Sequence, residues 1–195
     1  MTGIIILAAG NSSRLGQPKQ LLWYKDTTLL QHIIEEASVI KESVVIVVTG
    51  SNHELIEKEI DSSEIKTVFN RDWELGMSSS INTALNKALQ LYPGIEKCIF
   101  AVCDQPFVSH SVFENLIAEH QKTGKGIVAS SYAETLGTPV LFDKKYFNEL
   151  LNLKGQEGAK KIINRYLDDT ASIFFEKGDI DIDTEDDYNK LISEL

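Results

Sequence analysis

Residues 4–19, IIILAAGNSSRLGQPK, give the clearest indication of how this 195-residue chain folds. It begins with a short continuous apolar run, which is typical of a strand that is buried on both faces of a parallel sheet. The run leads into a loop with two glycines, two serines, an arginine and a lysine. Because ligands of such sheets bind beyond the carboxyl ends of the strands, we predict a strand followed by a ligand-binding loop.

The chain outward from this stretch alternates between short apolar runs and segments of helical periodicity. Further apolar runs lie at 44–48, 65–69, 99–102 and 127–129, and amphipathic segments lie at 28–39, 53–60, 80–91 and 112–120. This alternation predicts an α/β protein with three layers, a mostly parallel central sheet covered by helices on both faces.

The rhythm changes from residue 137 onward. The pattern predicts a short extra strand at 139–142, helices at 144–151 and 158–166, a strand at 173–175 and a closing helix at 185–195. We expect this second half to extend the same sheet, because 195 residues suffice for one α/β domain and would crowd two.

The charge and the cysteines narrow the classes of partner and compartment. The net charge is -10 and Lys and Arg do not cluster, so neither a nucleic acid nor a membrane surface is an expected partner. Cys98 and Cys103 lie too far apart along an extended strand to pair, and we expect two buried thiols. No signal-peptide pattern or membrane-length apolar run is evident, which predicts a cytoplasmic protein.

The loop after the first strand has the chemistry of a polyphosphate site. Its small residues let main-chain N–H groups approach a ligand, and Arg14 and Lys19 supply cations for phosphate oxygens. The spacing fits neither the dinucleotide loop G-x-G-x-x-G nor the P-loop. On spacing alone, a surface turn with incidental charges remains the alternative.

Three other segments carry polar groups that suit a site. Asp104 follows an apolar strand and could hold Mg²⁺, or serve only as a turn residue or cap. The serines after Gly76 could cap a helix, or the helix start could attract an anion. In the acidic stretch 179–187, Thr184 fits a helix cap, whereas Asp181 and Asp183 alternate with isoleucines, would share one side of an extended segment and could complete a Mg²⁺ site.

Taken in chain order, these segments resemble the motifs of the MobA-like nucleotidyltransferases, and most closely those of the branch of molybdenum cofactor cytidylyltransferases. The carrying motifs are Leu7-Ala8-Ala9-Gly10-x-Ser12-Ser13-Arg14-Leu15-Gly16-x-x-Lys19, its extension Pro18-Lys19-Gln20-Leu21-Leu22, Gly76-Met77-x-x-Ser80, Asp104-Gln105-Pro106 and Asp181-Ile182-Asp183-Thr184. In the last motif the family has Pro-Glu-Asp next, where this chain has Glu185, Asp186 and Asp187.

The resemblance implies a Rossmann-like fold of the nucleotide-diphospho-sugar transferase type and a role for each segment. Catalytic roles fall on Arg14, Lys19 and Asp104, and Mg²⁺ would be held by Asp104 with Asp183 as first choice and Asp181 as second. The implied nucleotide-binding residues are Leu7, Ala8, Ala9, Gly10, Ser12, Ser13, Arg14, Lys19, Gly76, Ser78, Ser80 and Asp104. The implied acceptor-binding residues are Gly137, Thr138, Pro139, Gly158 and Lys160.

The same resemblance implies the substrates. The guanylyl branch reads Leu-Ala-Gly-Gly in the first loop, so the extra methyl of Ala9 should narrow the pocket and favour CTP. Molybdopterin is the implied acceptor, although Gln156 and Lys160 replace an Asp and an Arg of the family's acceptor segment. The expected layout is a single domain over residues 1–195, with a nucleotide-binding half at about 1–110 and an acceptor-binding half at about 111–195.

Alternatives remain open at this point. A sugar- or alditol-phosphate nucleotidyltransferase that uses CTP or UTP is the second hypothesis. A non-catalytic nucleotide-binding regulator or cofactor-delivery chaperone is a third, and a molybdoenzyme or its maturation factor would then be a protein partner. A dehydrogenase is disfavoured because the dinucleotide glycine spacing is absent. Trp73, close to Gly76, either packs in the core or lines the base pocket.

Overall fold

The computed structural model describes residues 1–60 and 64–193. In chain order the strands are β1 (Thr2–Ala8), β2 (Trp23–Tyr24), β3 (Thr27–Thr28), β4 (Ser43–Thr49), β5 (Lys66–Phe69), β6 (Lys97–Val102), β7 (Ile127–Tyr132), β8 (Thr135–Asp143) and β9 (Thr170–Phe174). The α-helices are α1 (Leu29–Ser38), α2 (His53–Lys58), α3 (Met77–Leu91), α4 (His110–Thr123), α5 (Phe147–Leu151), α6 (Ala159–Arg165) and α7 (Glu185–Ser193). Short 3₁₀ helices span Lys19–Leu21, Trp73–Leu75, Lys144–Tyr146 and Leu167–Asp169.

Seven strands form one mostly parallel sheet in the order β5-β4-β1-β6-β8-β7-β9. β1 lies between β4 and β6 and is parallel to both, β5 is parallel to β4, and β9 is parallel to β7. β8 runs antiparallel to its two neighbours. The carboxyl ends of β1, β4 and β6 therefore meet at one edge of the sheet, where a ligand cleft is expected.

The sheet is covered on both faces, which confirms the three-layer α/β prediction. On β1, Ile4 and Ile6 belong to a core packed under α1 and α4, whereas Ile5 belongs to a core packed under α3, α5 and α6. All three isoleucines are fully buried. The continuous apolar run at the start of the chain thus reflects a strand with apolar neighbours on both sides.

A third, smaller apolar cluster lies beside the carboxyl edge of the sheet. Its buried members are Leu22, Tyr24, Leu29, Ile182 and Leu191, and Leu15 packs against it. The cluster joins the β2–β3 hairpin to α7 and to the acidic segment before α7. The N–H group of Ile182 donates a hydrogen bond of 2.9 Å to the carbonyl oxygen of Asp104, which brings that segment next to the end of β6.

The predicted elements occur in the predicted order, and the bounds of several of them differ from the prediction. α3 begins three residues before the predicted start. β8 is nine residues long, and its first half is absent from the prediction because that half lacks an apolar run. The β2–β3 hairpin was not predicted, since two-residue strands leave no periodic pattern. The predicted closing helix is present as α7 through Ser193, and residues 194 and 195 lie outside the described residues.

Two general expectations can also be compared with the structure. Cys98 and Cys103 are buried and unpaired, and burial raises the pKa of each thiol to about 12. Within 1–60 and 64–193, none of the helices combines the length and the apolar character that a membrane crossing requires.

Candidate active site

Two adjoining cavities open at the carboxyl edge of the sheet. The first, about 410 Å³, lies against the loop after β1 and is called the loop cavity. The second, about 390 Å³, lies against β8 and α6 and is called the β8 cavity. Leu7, Met77, Val102 and Asp104 line both cavities, so the end of β6 lies at the junction of the two.

Lys19 lies at the centre of the charged groups. Its Nζ is 2.5 Å from Oδ2 of Asp104 and 2.8 Å from Oδ1 of Asp183. Burial opposes the charged ammonium, but the two carboxylates outweigh it and hold the pKa of Lys19 above its ordinary value. The ammonium therefore stays charged and joins acids from the ends of two distant segments.

Arg14 lies at the rim of the same group. Its Nη2 is 3.4 Å from Oδ2 of Asp183, and its side chain is 70% exposed. A contact of that length in solvent contributes little stability. The guanidinium thus remains available to a ligand that lies beside Asp183. The hydrogen bond from Lys19, more than the charge of Arg14, holds the pKa of Asp183 below its ordinary value.

Asp181 takes a different position from Asp183. Ile182 is buried in the small apolar cluster, and the two acids beside it face the cleft, as their alternation predicts. Asp181 lines the β8 cavity, where partial desolvation and then the charges of Asp104 and Asp183 raise its pKa to about 6. Asp183 therefore lies beside Lys19, whereas Asp181 lies at the β8 cavity.

The residues around Asp104 fit a divalent cation that arrives with a phosphate ligand. Oδ1 of Asp104 is buried and has no hydrogen-bond partner among the described residues. A buried carboxylate oxygen without a partner is costly unless a cation or water satisfies it. Within the described part of the chain, no group of three or more His, Cys, Asp or Glu side chains forms a complete metal site. Two carboxylates suffice for Mg²⁺, because this ion usually keeps waters and takes further oxygens from a substrate phosphate.

Gln20 organises the loop after β1. Its side chain is fully buried, and its amide nitrogen donates to the carbonyl oxygens of Ala8 and Gly10 at 2.9 and 3.0 Å. The hydroxyl of Ser12 accepts a hydrogen bond of 2.9 Å from the N–H group of Lys19. Gln20 belongs to the signature motif, but its role is not evident from the sequence, because its partners are main-chain atoms that a motif does not reveal.

The start of α3 forms one wall of the loop cavity. Gly76 and Ser80 line the cavity, and the hydroxyl of Ser78 donates to the carbonyl oxygen of Gly155 at 2.8 Å. Of the two interpretations of these serines, the helix cap is the one that the structure contradicts, because no side-chain hydrogen bond caps the helix and Gly76 occupies the N-cap. Its φ is 106°, and a Cβ at this position would lie 2.5 Å from the carbonyl oxygen of Gly155, so only glycine fits there.

The predicted acceptor residues gather around the β8 cavity. Gly137, Thr138, Gly158 and Lys160 line it, and the carbonyl of Pro139 accepts a hydrogen bond from the buried hydroxyl of Ser130. The ammonium of Lys160 donates to the hydroxyl of Thr135 at 2.8 Å. Four of the five residues thus share one cavity, and the fifth supports its strand.

Among the predicted nucleotide residues, several line the loop cavity directly. They are Leu7, Ala9, Gly10, Lys19, Gly76, Ser80 and Asp104. Ala8 is buried at the end of β1, and Ser13 accompanies Arg14 on the loop. Trp73 and Gln156 also line the loop cavity. Sequence analysis assigned the segment of Gln156 to the acceptor side, whereas the structure shows that this segment reaches both cavities, with Gly158 in the second.

Comparisons with known proteins agree with this layout. Residues 4–170 match the model of the family described as MobA-like NTP transferase domain. The chain is 26% identical over 186 residues to the molybdenum cofactor cytidylyltransferase of Escherichia coli (strain K12), which covers 94% of this chain and 92% of that protein. It is 31% identical over 140 residues to nicotine blue oxidoreductase of Paenarthrobacter nicotinovorans, covering 71% of this chain and 65% of that protein.

Solved structures show the same fold. The crystal structure of Rv0371c from Mycobacterium tuberculosis H37Rv superposes with a TM-score of 0.83 and 26% identity, over 98% of this chain and 97% of that one. A second crystal structure of Rv0371c, with a TM-score of 0.78, 24% identity and coverage of 100% and 98%, is a complex with manganese.

Proposed function

The chain belongs to the MobA-like NTP transferase family, and from this premise we propose that it transfers CMP from CTP to the phosphate of molybdopterin with release of pyrophosphate. The 26% identity to a molybdenum cofactor cytidylyltransferase over nearly the whole chain supports this choice of substrates. The expected metal is Mg²⁺, and the manganese complex of Rv0371c supports the use of a divalent cation.

The observation that carries the proposal is the junction of the two cavities at Asp104. A group transfer between two substrates needs both reacting centres held within contact distance, and adjoining cavities with a shared wall supply that arrangement. In the proposal the loop cavity holds CTP and the β8 cavity holds the acceptor. The phosphates of both would then meet beside Lys19, Asp104 and Asp183.

The chemistry proposed is an in-line displacement. An oxygen of the acceptor phosphate forms a bond to the α-phosphorus of CTP, the bond from that phosphorus to the bridging oxygen breaks, and pyrophosphate leaves. Lys19 and Arg14 orient the triphosphate and stabilise the charge that builds on the leaving group. The acceptor phosphate is already ionised, so no side chain has to remove a proton. Asp104 and Asp183 would hold Mg²⁺, and the bound ion would neutralise phosphate charge.

The walls of the β8 cavity combine apolar and polar side chains. Ile81, Phe100, Leu136 and Ile163 line it, and Lys160 contributes a cation at its edge. Tyr132, Thr138 and Asp181 line the same cavity. The apolar residues suit the faces of a fused heterocycle such as molybdopterin, and the polar ones suit its hydrogen-bonding edge. The choice of molybdopterin over the sugar or alditol phosphate of the second hypothesis rests on the identity to the cytidylyltransferase.

The test is a matrix of nucleotides and acceptors. Pyrophosphate release is measured for each of the four NTPs with Mg²⁺ and with molybdopterin, a sugar phosphate or an alditol phosphate. We expect the highest kcat/KM for CTP with molybdopterin, at least about tenfold above GTP, because one methyl in a pocket is worth roughly that factor.

Other outcomes of the matrix select the rival functions. Turnover confined to a sugar or alditol phosphate would make the second hypothesis correct. Tight binding of CTP without pyrophosphate release for any acceptor would indicate a regulator or delivery protein.

A further inference from the structure

Gln20 is a buried amide at the floor of the loop cavity, and its contacts extend beyond a single turn. The side chain is fully buried, and its amide nitrogen reaches the carbonyl oxygens of Ala8 and Gly10. Its amide oxygen lies 3.5 Å from the hydroxyl of Ser12, which in turn accepts from the N–H group of Lys19. One side chain thus ties together the beginning and the end of the loop 10–19.

The end of β1 explains why a donor is needed at this place. Ladder pairing between β1 and β6 ends at Leu7 and Val102, whereas pairing with β4 continues one residue further, to Ala8 and Thr49. Ala8 therefore has no partner strand on the β6 side. A primary amide offers two N–H donors, and those of Gln20 satisfy both carbonyl oxygens.

The same carbonyl oxygens would oppose a bound anion. Gly10 and Gln20 both line the loop cavity, in which the phosphates of CTP are proposed to lie. Uncovered carbonyl oxygens present partial negative charge to a triphosphate. An amide that engages them removes this repulsion and keeps the loop folded back towards Lys19.

We propose that Gln20 is a positioning residue for the nucleotide, which holds the loop 10–19 and the ammonium of Lys19 in the shape that binds the triphosphate. The proposal rests on the proposed function, because it takes the loop cavity to be the triphosphate site. Gln20 itself lies under the loop and acts through Lys19 and the main chain.

The test compares a ligand with phosphates and one without. Gln20→Met keeps the length of the side chain and removes both donors. Binding of CTP with Mg²⁺ is measured by isothermal titration calorimetry, and binding of cytidine by ligand-observed NMR. We expect the Kd of CTP to rise by about tenfold to a hundredfold, as loss of two hydrogen bonds to main-chain carbonyls implies, one buried and one partly buried, and the Kd of cytidine to change by less than about threefold.

Two further variants complete the test, one as a second probe of the loop and one as a control. Ser12→Ala removes the hydroxyl that accepts a hydrogen bond from the N–H group of Lys19, and it should raise the Kd of CTP by a smaller factor than Gln20→Met. This variant keeps the proposal testable if Gln20→Met does not fold. Tyr146→Phe serves as the matched control. It removes a hydroxyl that donates to Asp169, in a contact of 2.5 Å remote from both cavities, and should leave the affinity for CTP unchanged.

The outcomes separate the two levels of the proposal. If the wild-type protein binds CTP and the Kd of Gln20→Met for CTP lies within about twofold of the wild-type value, the positioning role is overturned while the proposed function stands. Equal losses for CTP and cytidine would also overturn it, since they would indicate general damage to the cavity. If the wild-type protein binds no nucleoside triphosphate, the proposed function fails and the role of Gln20 fails with it.

Discussion

Replacing Asp104 with asparagine is expected to slow pyrophosphate release from CTP by about two to three orders of magnitude. Asparagine keeps the shape of the side chain and removes its charge. Asp104 lies at the junction of the two cavities, and its buried Oδ1 has no hydrogen-bond partner among the residues that the structure describes. The loss should therefore appear in the affinity for the divalent cation and in the rate at saturating CTP, as a metal ligand requires.

Folding should be little affected by the same change. Lys19 keeps Asp183 as a partner at 2.8 Å, and removal of one acid relieves repulsion with Asp181. We expect the melting temperature without ligands to remain close to the wild-type value, as differential scanning fluorimetry can show.

Asp143→Asn is the matched control for Asp104. Asp143 lies opposite Lys97 in the β6–β8 ladder, at the amino end of β6 and away from Asp104, so loss of its charge should leave the rate unchanged. An Asp104→Asn variant with a wild-type rate and wild-type metal affinity would remove Asp104 from the site.

Replacing Lys19 with methionine is expected to weaken the binding of CTP and to strengthen the binding of Mn²⁺. The affinity for CTP should fall by about tenfold to a hundredfold, because an ammonium that contacts the triphosphate is lost. Binding of Mn²⁺ without nucleotide should become tighter, since the ammonium no longer lies between Asp104 and Asp183. Calorimetry with CTP and electron paramagnetic resonance of Mn²⁺ measure the two effects separately.

The stability of the Lys19 variant should also depend on cations. Without the ammonium, the carboxylates of Asp104, Asp181 and Asp183 repel one another, so the melting temperature should fall at low ionic strength and recover with Mn²⁺. Lys41→Met, which removes an exposed lysine just before β4 at the far end of the sheet, is the control. Weaker Mn²⁺ binding in Lys19→Met would contradict the arrangement of charges described above.

Most of the fold could be predicted from the sequence because its signals are local. Fully buried parallel strands appear as continuous apolar runs, so β1, β4 and β6 are found with few errors at their ends. Elements without a periodic pattern were missed or shortened. The β2–β3 hairpin has two residues in each strand, and the first half of β8 has a mixed composition because it lines a cavity.

The charged residues of the candidate site could be predicted from the sequence, whereas the residues that hold them in place could be predicted less well. Lys19, Asp104 and Asp183 come together as the motifs indicate, because each follows or adjoins the carboxyl edge of the sheet. The contacts of Gln20 are with main-chain atoms of the loop that precedes it, which a motif does not reveal. The place of Gln156 depends on how distant segments pack, and so does the N-cap of α3, where a glycine held against Gly155 takes the position that a serine could have had.

In the proposed complex, a divalent cation between Asp104 and Asp183 faces a triphosphate held by the loop 10–19. Crystals grown with Mn²⁺ and a non-hydrolysable CTP analogue would show this arrangement, because anomalous scattering locates the manganese. We expect the anomalous peak within bonding distance of both carboxylates and of a phosphate oxygen, with Lys19 turned towards the phosphates. A manganese ion bound elsewhere, or a triphosphate that does not contact this loop, would contradict the account.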